Sequence, residues 1–304
     1  MKLVTFLSFY FLIVSQLCAQ HLVPLWEEDK IPNYTATDDK EYIAPNRDFN
    51  FTMNIQKPEM EIMLPSKRSS NGKAVLILPG GGYAGVSYDW EGTEVGQWLN
   101  SNGIAAFVLK YRMPQAASVK TSYKAPIQDA QRAMRYIRAH AEEFNIDKDK
   151  IGVMGFSAGG HLASTLATHQ EAYYTSNDKV DEEAFQPNFL MLLYPVISMQ
   201  KGVTHQGSKN KLLGKSPDKK LVDQFSNELQ VSDKTPTTFI VHSGDDGAVP
   251  VENSIRFYQA LVKHKVMADM HLYPEGGHGY GMGIANKNAP KWKGLAELWL
   301  SELK

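Results

Sequence analysis

The chain has 304 residues, 43% of them hydrophobic and 21% charged, which suits one large domain or two small ones with a core that needs no cross-links. Its formal net charge is −1 and it has no long Lys/Arg run, which argues against nucleic acid or an anionic membrane surface as the main partner. No low-complexity tract or internal repeat is present.

At the start, Lys2 gives a short positive segment, Leu3 to Val14 is an almost unbroken apolar run, and Ser15 to Gln20 reads as a cleavage region. Residues 1–19 are therefore expected to be a signal peptide cut after Ala19, and the protein is expected to be exported, either periplasmic or secreted. The apolar run falls short of the roughly 20 residues that a spanning helix needs, so stable membrane insertion is not expected. Cys18 is the only cysteine, and cleavage after Ala19 would leave none for a disulfide, a thiol nucleophile or a thiolate metal site.

Residues 20–50 are polar, carry Pro24, Pro32 and Pro45, and lack periodicity; they read as an arm lying over a domain that spans 51–304. From Phe51 onward strand and helix signals alternate. Met60 to Leu64 alternates like an edge strand, and Ala74 to Leu78 is a continuous apolar run ending in Pro79 and three glycines, as a buried parallel strand would. Ala105 to Leu109 is a second such run. Pro126 opens a helix that puts Ile127, Ala130, Met134, Ile137 and Ala141 on one face. Ile151 to Met154, Phe189 to Leu193 and Thr238 to Val241 follow as strands. The polar stretch 201–235, with a short helix near Leu221 to Phe225, separates the last two. A helix (Glu252 to His264), a strand (Met267 to Tyr273) and a helix (Pro290 to Leu303) close the chain. This alternation predicts an α/β fold, a mostly parallel central sheet with helices on both faces, whose active groups collect at the carboxyl ends of the strands.

The chemistry-bearing residues fall at those ends. Gly155-Phe156-Ser157-Ala158-Gly159 follows one strand run and precedes the helical run His161 to Thr168. A nucleophilic serine needs a tight strand-to-helix turn, and small neighbours let the backbone make it. His278, in the glycine-rich loop Glu275 to Gly281 after the last strand, is the expected general base. His161 reads as structural, and His242 as a core histidine that could support the acid loop. The imidazole needs a carboxylate to hold its tautomer. Asp245 and Asp246 are both candidates, and Asp246, three residues before Val249-Pro250, is preferred. The order serine, aspartate, histidine is that of α/β-hydrolases. Gly81 or Gly82, in Leu78-Pro79-Gly80-Gly81-Gly82-Tyr83, together with the N–H of Ala158, would form an oxyanion hole. No Lys-Ser/Thr ending marks that loop as a phosphate cradle. No His/Asp cluster at ligand spacing points to a metal, and no cofactor is expected.

Leu78 to Tyr83, Trp90 to Thr93, Phe107 to Arg112, Gly155 to His161, Leu193 to Val196, Asp245-Asp246 with Val249-Pro250, and Gly276 to Gly279 together resemble bacterial α/β-hydrolases of the acetyl-xylan-esterase-like group. The similarity runs from about Lys73 to the end. It implies a triad of Ser157, Asp246 and His278. It also implies hydrolysis of a short acyl ester, acetyl above all, on a plant polysaccharide or its oligosaccharides. Tyr83, Tyr88, Trp90, Tyr280 and Met282 flank the catalytic loops and are candidates for a sugar platform, with ordinary packing as the alternative. A general short-acyl esterase and a serine peptidase would use the same triad. A non-catalytic carbohydrate-binding relative would have lost a member of it. The 201–235 insert is the candidate lid, and its Lys and Ser content argues against docking on lipid.

Overall fold

The computed structural model describes residues 22–284 and 289–303. The proposed signal peptide and Cys18 lie outside the described residues. Eleven strands run β1 (Leu22–Pro24), β2 (Tyr42–Ile43), β3 (Phe51–Met53), β4 (Glu59–Met63), β5 (Ala74–Leu78), β6 (Gly85–Ser87), β7 (Ala105–Lys110), β8 (Ile151–Phe156), β9 (Phe189–Leu193), β10 (Thr237–Ser243) and β11 (Ala268–Tyr273). Among the described residues, the α-helices are α1 (Glu94–Ser101), α2 (Lys124–Ala139), α3 (Ser157–Thr168), α4 (Gln206–Leu213), α5 (Lys219–Gln224), α6 (Glu252–Lys263) and α7 (Trp292–Glu302).

The main sheet has the order β1-β4-β7-β5-β8-β9-β10-β11. Only β1 and β4 run antiparallel to their neighbours; the other pairings are parallel. Every residue of β5, β7, β8 and β9 is buried, which is why these strands read as continuous apolar runs rather than as alternation. Helices flank the sheet. The rings of Trp98 on α1 and Trp292 at the start of α7 meet edge to face at 5.2 Å. Helix α2 turns a wholly buried stripe, with Ile127, Ala130, Met134 and Ile137, into the core.

The sequence reading needs correction at the amino-terminal side. β4 is not an edge: Leu22–Pro24 of the arm pair with it, Val23 opposite Met60, so β1 is the outer strand on that side. The arm also supplies β2, which forms a hairpin with β3 across residue 50 and, with β6, makes a separate three-stranded sheet. Buried side chains pin the arm down. Arg112 pairs with Asp129 at 2.7 Å and also donates to the carbonyl of Pro32, while Arg132 donates to the carbonyl of Leu25. Arginine suits both positions because its fork satisfies a carboxylate and backbone oxygens at once.

Candidate active site

Loops after β5, β8, β10 and β11 converge at one edge of the main sheet. At the end of β8 the chain turns from extended backbone at Phe156 directly into α3, and Ser157 takes φ of 51°. That left-handed conformation is costly for a residue with a Cβ and holds the hydroxyl out from the turn. The flanking glycines are required by contact: a Cβ on Gly159 would lie 2.0 Å from the carbonyl oxygen of Leu78.

Ser157 Oγ lies 2.9 Å from His278 Nε2, and His278 Nδ1 lies 2.7 Å from Asp246 Oδ2. A carboxylate only accepts, so Nδ1 carries the proton and Nε2 is left as the acceptor for the serine hydroxyl. Asp246 is saturated. Its Oδ1 accepts the N–H groups of Ala248 at 2.9 Å and Val249 at 2.8 Å, and its Oδ2 also accepts from His242 Nε2 at 3.1 Å. Burial pushes its carboxyl pKa up, but the hydrogen bonds from His242 and His278 outweigh that and hold it well below the usual aspartate range. His242, inside β10, is buried and receives the hydroxyl proton of Ser254 on Nδ1 at 2.7 Å. It therefore stands behind the carboxylate as a donor. Asp245 faces elsewhere. Exposed, it accepts the N–H of Gly277 at 2.8 Å and of Gly276 at 3.2 Å, at the start of the loop that carries His278.

The glycine turn after β5, the candidate oxyanion turn, is folded back hard. Gly81 has φ of 145°, and a Cβ there would lie 2.1 Å from the carbonyl oxygen of Gly85. Among the described residues, the N–H groups of Gly81, Gly82 and Ala158 have no protein acceptor. Gly81 and Gly82 line a cleft of about 350 Å³ together with Ser157 and His278, while Ala158 is fully buried beneath it. A larger hollow of about 780 Å³ lies between the arm and β4, beside Tyr34 and Glu59, and holds no nucleophile–base pair. Volume therefore does not mark the site here.

Of the residues read as a sugar platform, only Trp90 lines the cleft, and its Nε1 also donates to the carbonyl of Gly279 at 2.7 Å, bracing the His278 loop. Tyr83 is buried, with its hydroxyl on His161 Nδ1 at 2.9 Å. His161 in turn bonds the carbonyl of Phe225 through Nε2 at 2.8 Å, and burial lowers its pKa to about 4, so it is a neutral brace between the oxyanion turn and the insert. Tyr280 is buried against Tyr194, ring centroids 4.5 Å apart, and Tyr88 and Met282 are buried as well. These four side chains pack in the interior and none lines the cleft; Tyr88, directly after β6, donates its hydroxyl to Glu61 at 2.7 Å.

Other residues at the site escaped the sequence reading. Glu91 is buried beside the cleft, accepting the N–H of Gly80 at 2.7 Å and the hydroxyl of Tyr194 at 2.6 Å. Tyr194 in turn accepts the N–H of Gly281 at 2.9 Å. Glu91 thus ties the oxyanion turn to the histidine loop, and burial raises its pKa against those two hydrogen bonds. Arg47, Phe49 and Phe51, from the β2–β3 hairpin, form one wall, and His205 from the insert is part of another. Among the described residues, no group of three or more His, Cys, Asp or Glu stands where it could hold a metal ion.

A mostly parallel sheet delivering a serine, a carboxylate and a histidine, in that chain order, from the ends of β8, β10 and β11 is an α/β-hydrolase. More narrowly, the model of the family described as BD-FAE matches residues 60–261, and the chain belongs to that family. It is 38% identical over 240 residues to an acetylxylan esterase of Xylanibacter ruminicola, covering 77% of this chain and 46% of that protein. It is 38% identical over 212 residues to endo-1,4-beta-xylanase B of Butyrivibrio fibrisolvens, covering 70% of this chain and 33% of that one. The chain thus spans half or less of the length of these curated relatives. Among solved structures, an acetyl ester-xyloside bifunctional hydrolase from Caldicellulosiruptor lactoaceticus superposes with a TM-score of 0.79 at 37% identity, covering 94% of this chain and 97% of that one.

Proposed function

We propose that this chain is an exported serine esterase that removes acetyl groups from xylan or related plant polysaccharides and oligosaccharides. The observation that carries the reading is the unbroken row Ser157–His278–Asp246 opening into a cleft with an aromatic wall. The resemblance to an acetylxylan esterase and to an acetyl ester-xyloside hydrolase supports acetyl as the acyl group and a xylose-based chain as its carrier.

In this reading Ser157 Oγ attacks the ester carbonyl carbon as its proton passes to His278 Nε2. The carbonyl oxygen gains charge facing the N–H groups of Gly81 or Gly82 and of Ala158. His278 then gives the proton to the departing sugar oxygen, leaving an acetyl group on Ser157. Water attacks that group while His278 takes its proton, acetate leaves, and the proton returns to Ser157. Asp246 keeps Nδ1 protonated and stabilises the imidazolium formed in each half-reaction.

The test is acetate release from acetylated xylan beside turnover of a small aryl acetate. Release from both is expected. Rapid turnover of the aryl acetate with none from xylan would move the reading to a general short-acyl esterase. Export rests on residues 1–19, and mass spectrometry of the exported protein should find an N-terminus near Gln20; a retained Met1 would contradict it.

A further inference from the structure

Arg47 sits on the loop of the β2–β3 hairpin and lines the same cleft as Ser157. Its guanidinium carbon lies 4.4 Å from the centroid of the Phe51 ring and 5.5 Å from that of Phe49. The two rings hold the side chain and shield part of it from water, which lowers the ordering cost of using it for recognition. Among the described residues it has no carboxylate partner. Two carboxylates of the neighbouring turn are hydrogen-bonded elsewhere, and Asp48, the next residue in the chain, is exposed and forms no ion pair with Arg47. Both oxygens of Glu91 accept hydrogen bonds from Gly80 and Tyr194, and Asp89 Oδ1 accepts the N–H groups of Asn50 and Trp90. The remaining ionisable side chains on the wall are His205 and His278, and neither is an anion. Arg47 is therefore an exposed cation on the cleft wall that no carboxylate pairs directly, while the buried carboxyl of Glu91 on the same wall is taken up by Gly80 and Tyr194.

We infer that Arg47 is a specificity-determining residue that binds a carboxylate on the substrate, so that the preferred ligand is an anionic saccharide, an acetylated chain bearing a uronic-acid unit near the ester. A guanidinium offers paired N–H donors matching the two oxygens of a carboxylate, a fit that a neutral sugar hydroxyl does not provide. Arg47 acts on binding and takes no part in the proton transfers. The inference rests on the carbohydrate reading above and narrows its substrate class.

The experiment uses turnover of an aryl acetate as reporter and measures competition by two unacetylated xylo-oligosaccharides of equal length, one neutral and one carrying a single uronic acid. In the wild type the acidic oligosaccharide should compete about fivefold more tightly, the scale of a partly exposed charge pair, and that preference should shrink as salt is raised. In Arg47→Gln the ratio should fall to about one, and Arg47→Lys, which keeps the charge and loses the fork, should fall between. Equal competition in the wild type, or a preference that survives Arg47→Gln, overturns the inference while leaving the esterase reading in place. Competition by neither oligosaccharide overturns the carbohydrate reading and this inference with it.

Discussion

Ser157→Ala should reduce turnover of both aryl acetate and acetylated xylan by on the order of 10⁵-fold or more, while the protein still folds and still binds oligosaccharide. The size follows from what is removed. Without Oγ there is no acyl-enzyme, and His278 Nε2, now 2.9 Å from nothing that can attack, can only activate a stray water. What remains is binding and the oxyanion donors, which alone give a small residual rate over water. The backbone provides an independent check. Ser157 sits at φ of 51°, so the alanine keeps the conformational cost that the serine carries. Ser157→Gly relieves it, and should be more stable than Ser157→Ala by about 1 kcal/mol, a few degrees in Tm, while equally inactive. Thermal denaturation of the three proteins beside their turnover measures both. An alanine variant with activity near wild type rejects Ser157 as nucleophile. A glycine variant melting below the alanine one rejects the claim of stored strain.

The fold was legible wherever burial imposed a pattern. β5, β7, β8 and β9 lie between helices, so apart from Lys110 at the end of β7 they carry no charged residue, and their carboxyl ends mark where chemistry can gather. Ser157 and His278 were legible because a turn of glycines around a polar side chain has few other uses. Less could be read where pairing, not composition, decides the outcome. β1 and β2 are three and two residues long, too short for any period to register, so the arm gave no sign that it closes one side of the sheet or that its hairpin carries Arg47 and Phe49 into the cleft. Tyr83 and Tyr280 sit beside catalytic residues in sequence but beneath them in space, because the turns that expose the glycines fold the next side chain inward. Glu91 lies within a motif already singled out, Trp90 to Thr93. Its role rests on contacts with Gly80 and Tyr194, the latter 103 residues away, which no local reading supplies.

Asp246→Asn should cost turnover about 10³- to 10⁴-fold, and Asp245→Asn less than about tenfold. Asp246 accepts four hydrogen bonds, two from backbone N–H groups on Oδ1 and two from histidines on Oδ2. An asparagine has one oxygen. If that oxygen stays with Ala248 and Val249, the amide N–H₂ faces His278 Nδ1, which must then accept, and the ring's proton moves to Nε2 where it blocks transfer from Ser157. If the amide flips, the backbone N–H groups of Ala248 and Val249 lose their acceptor instead. Asp245 is exposed and only steadies Gly276 and Gly277, a task the amide oxygen of asparagine can still perform. Stability gives the second readout. The native carboxyl of Asp246 titrates below its unfolded value, so its stabilising effect is complete above the ordinary aspartate range, near pH 4, and is lost as pH falls through the native value. The asparagine variant lacks that charge. Its deficit against wild type should therefore be largest at neutral pH and narrow below about pH 4. If denaturation curves at pH 7 and pH 3.5 show the same deficit for Asp246→Asn, the carboxylate is not held in its charged form by His242 and His278. If turnover ranks the two variants the other way, the acid is Asp245.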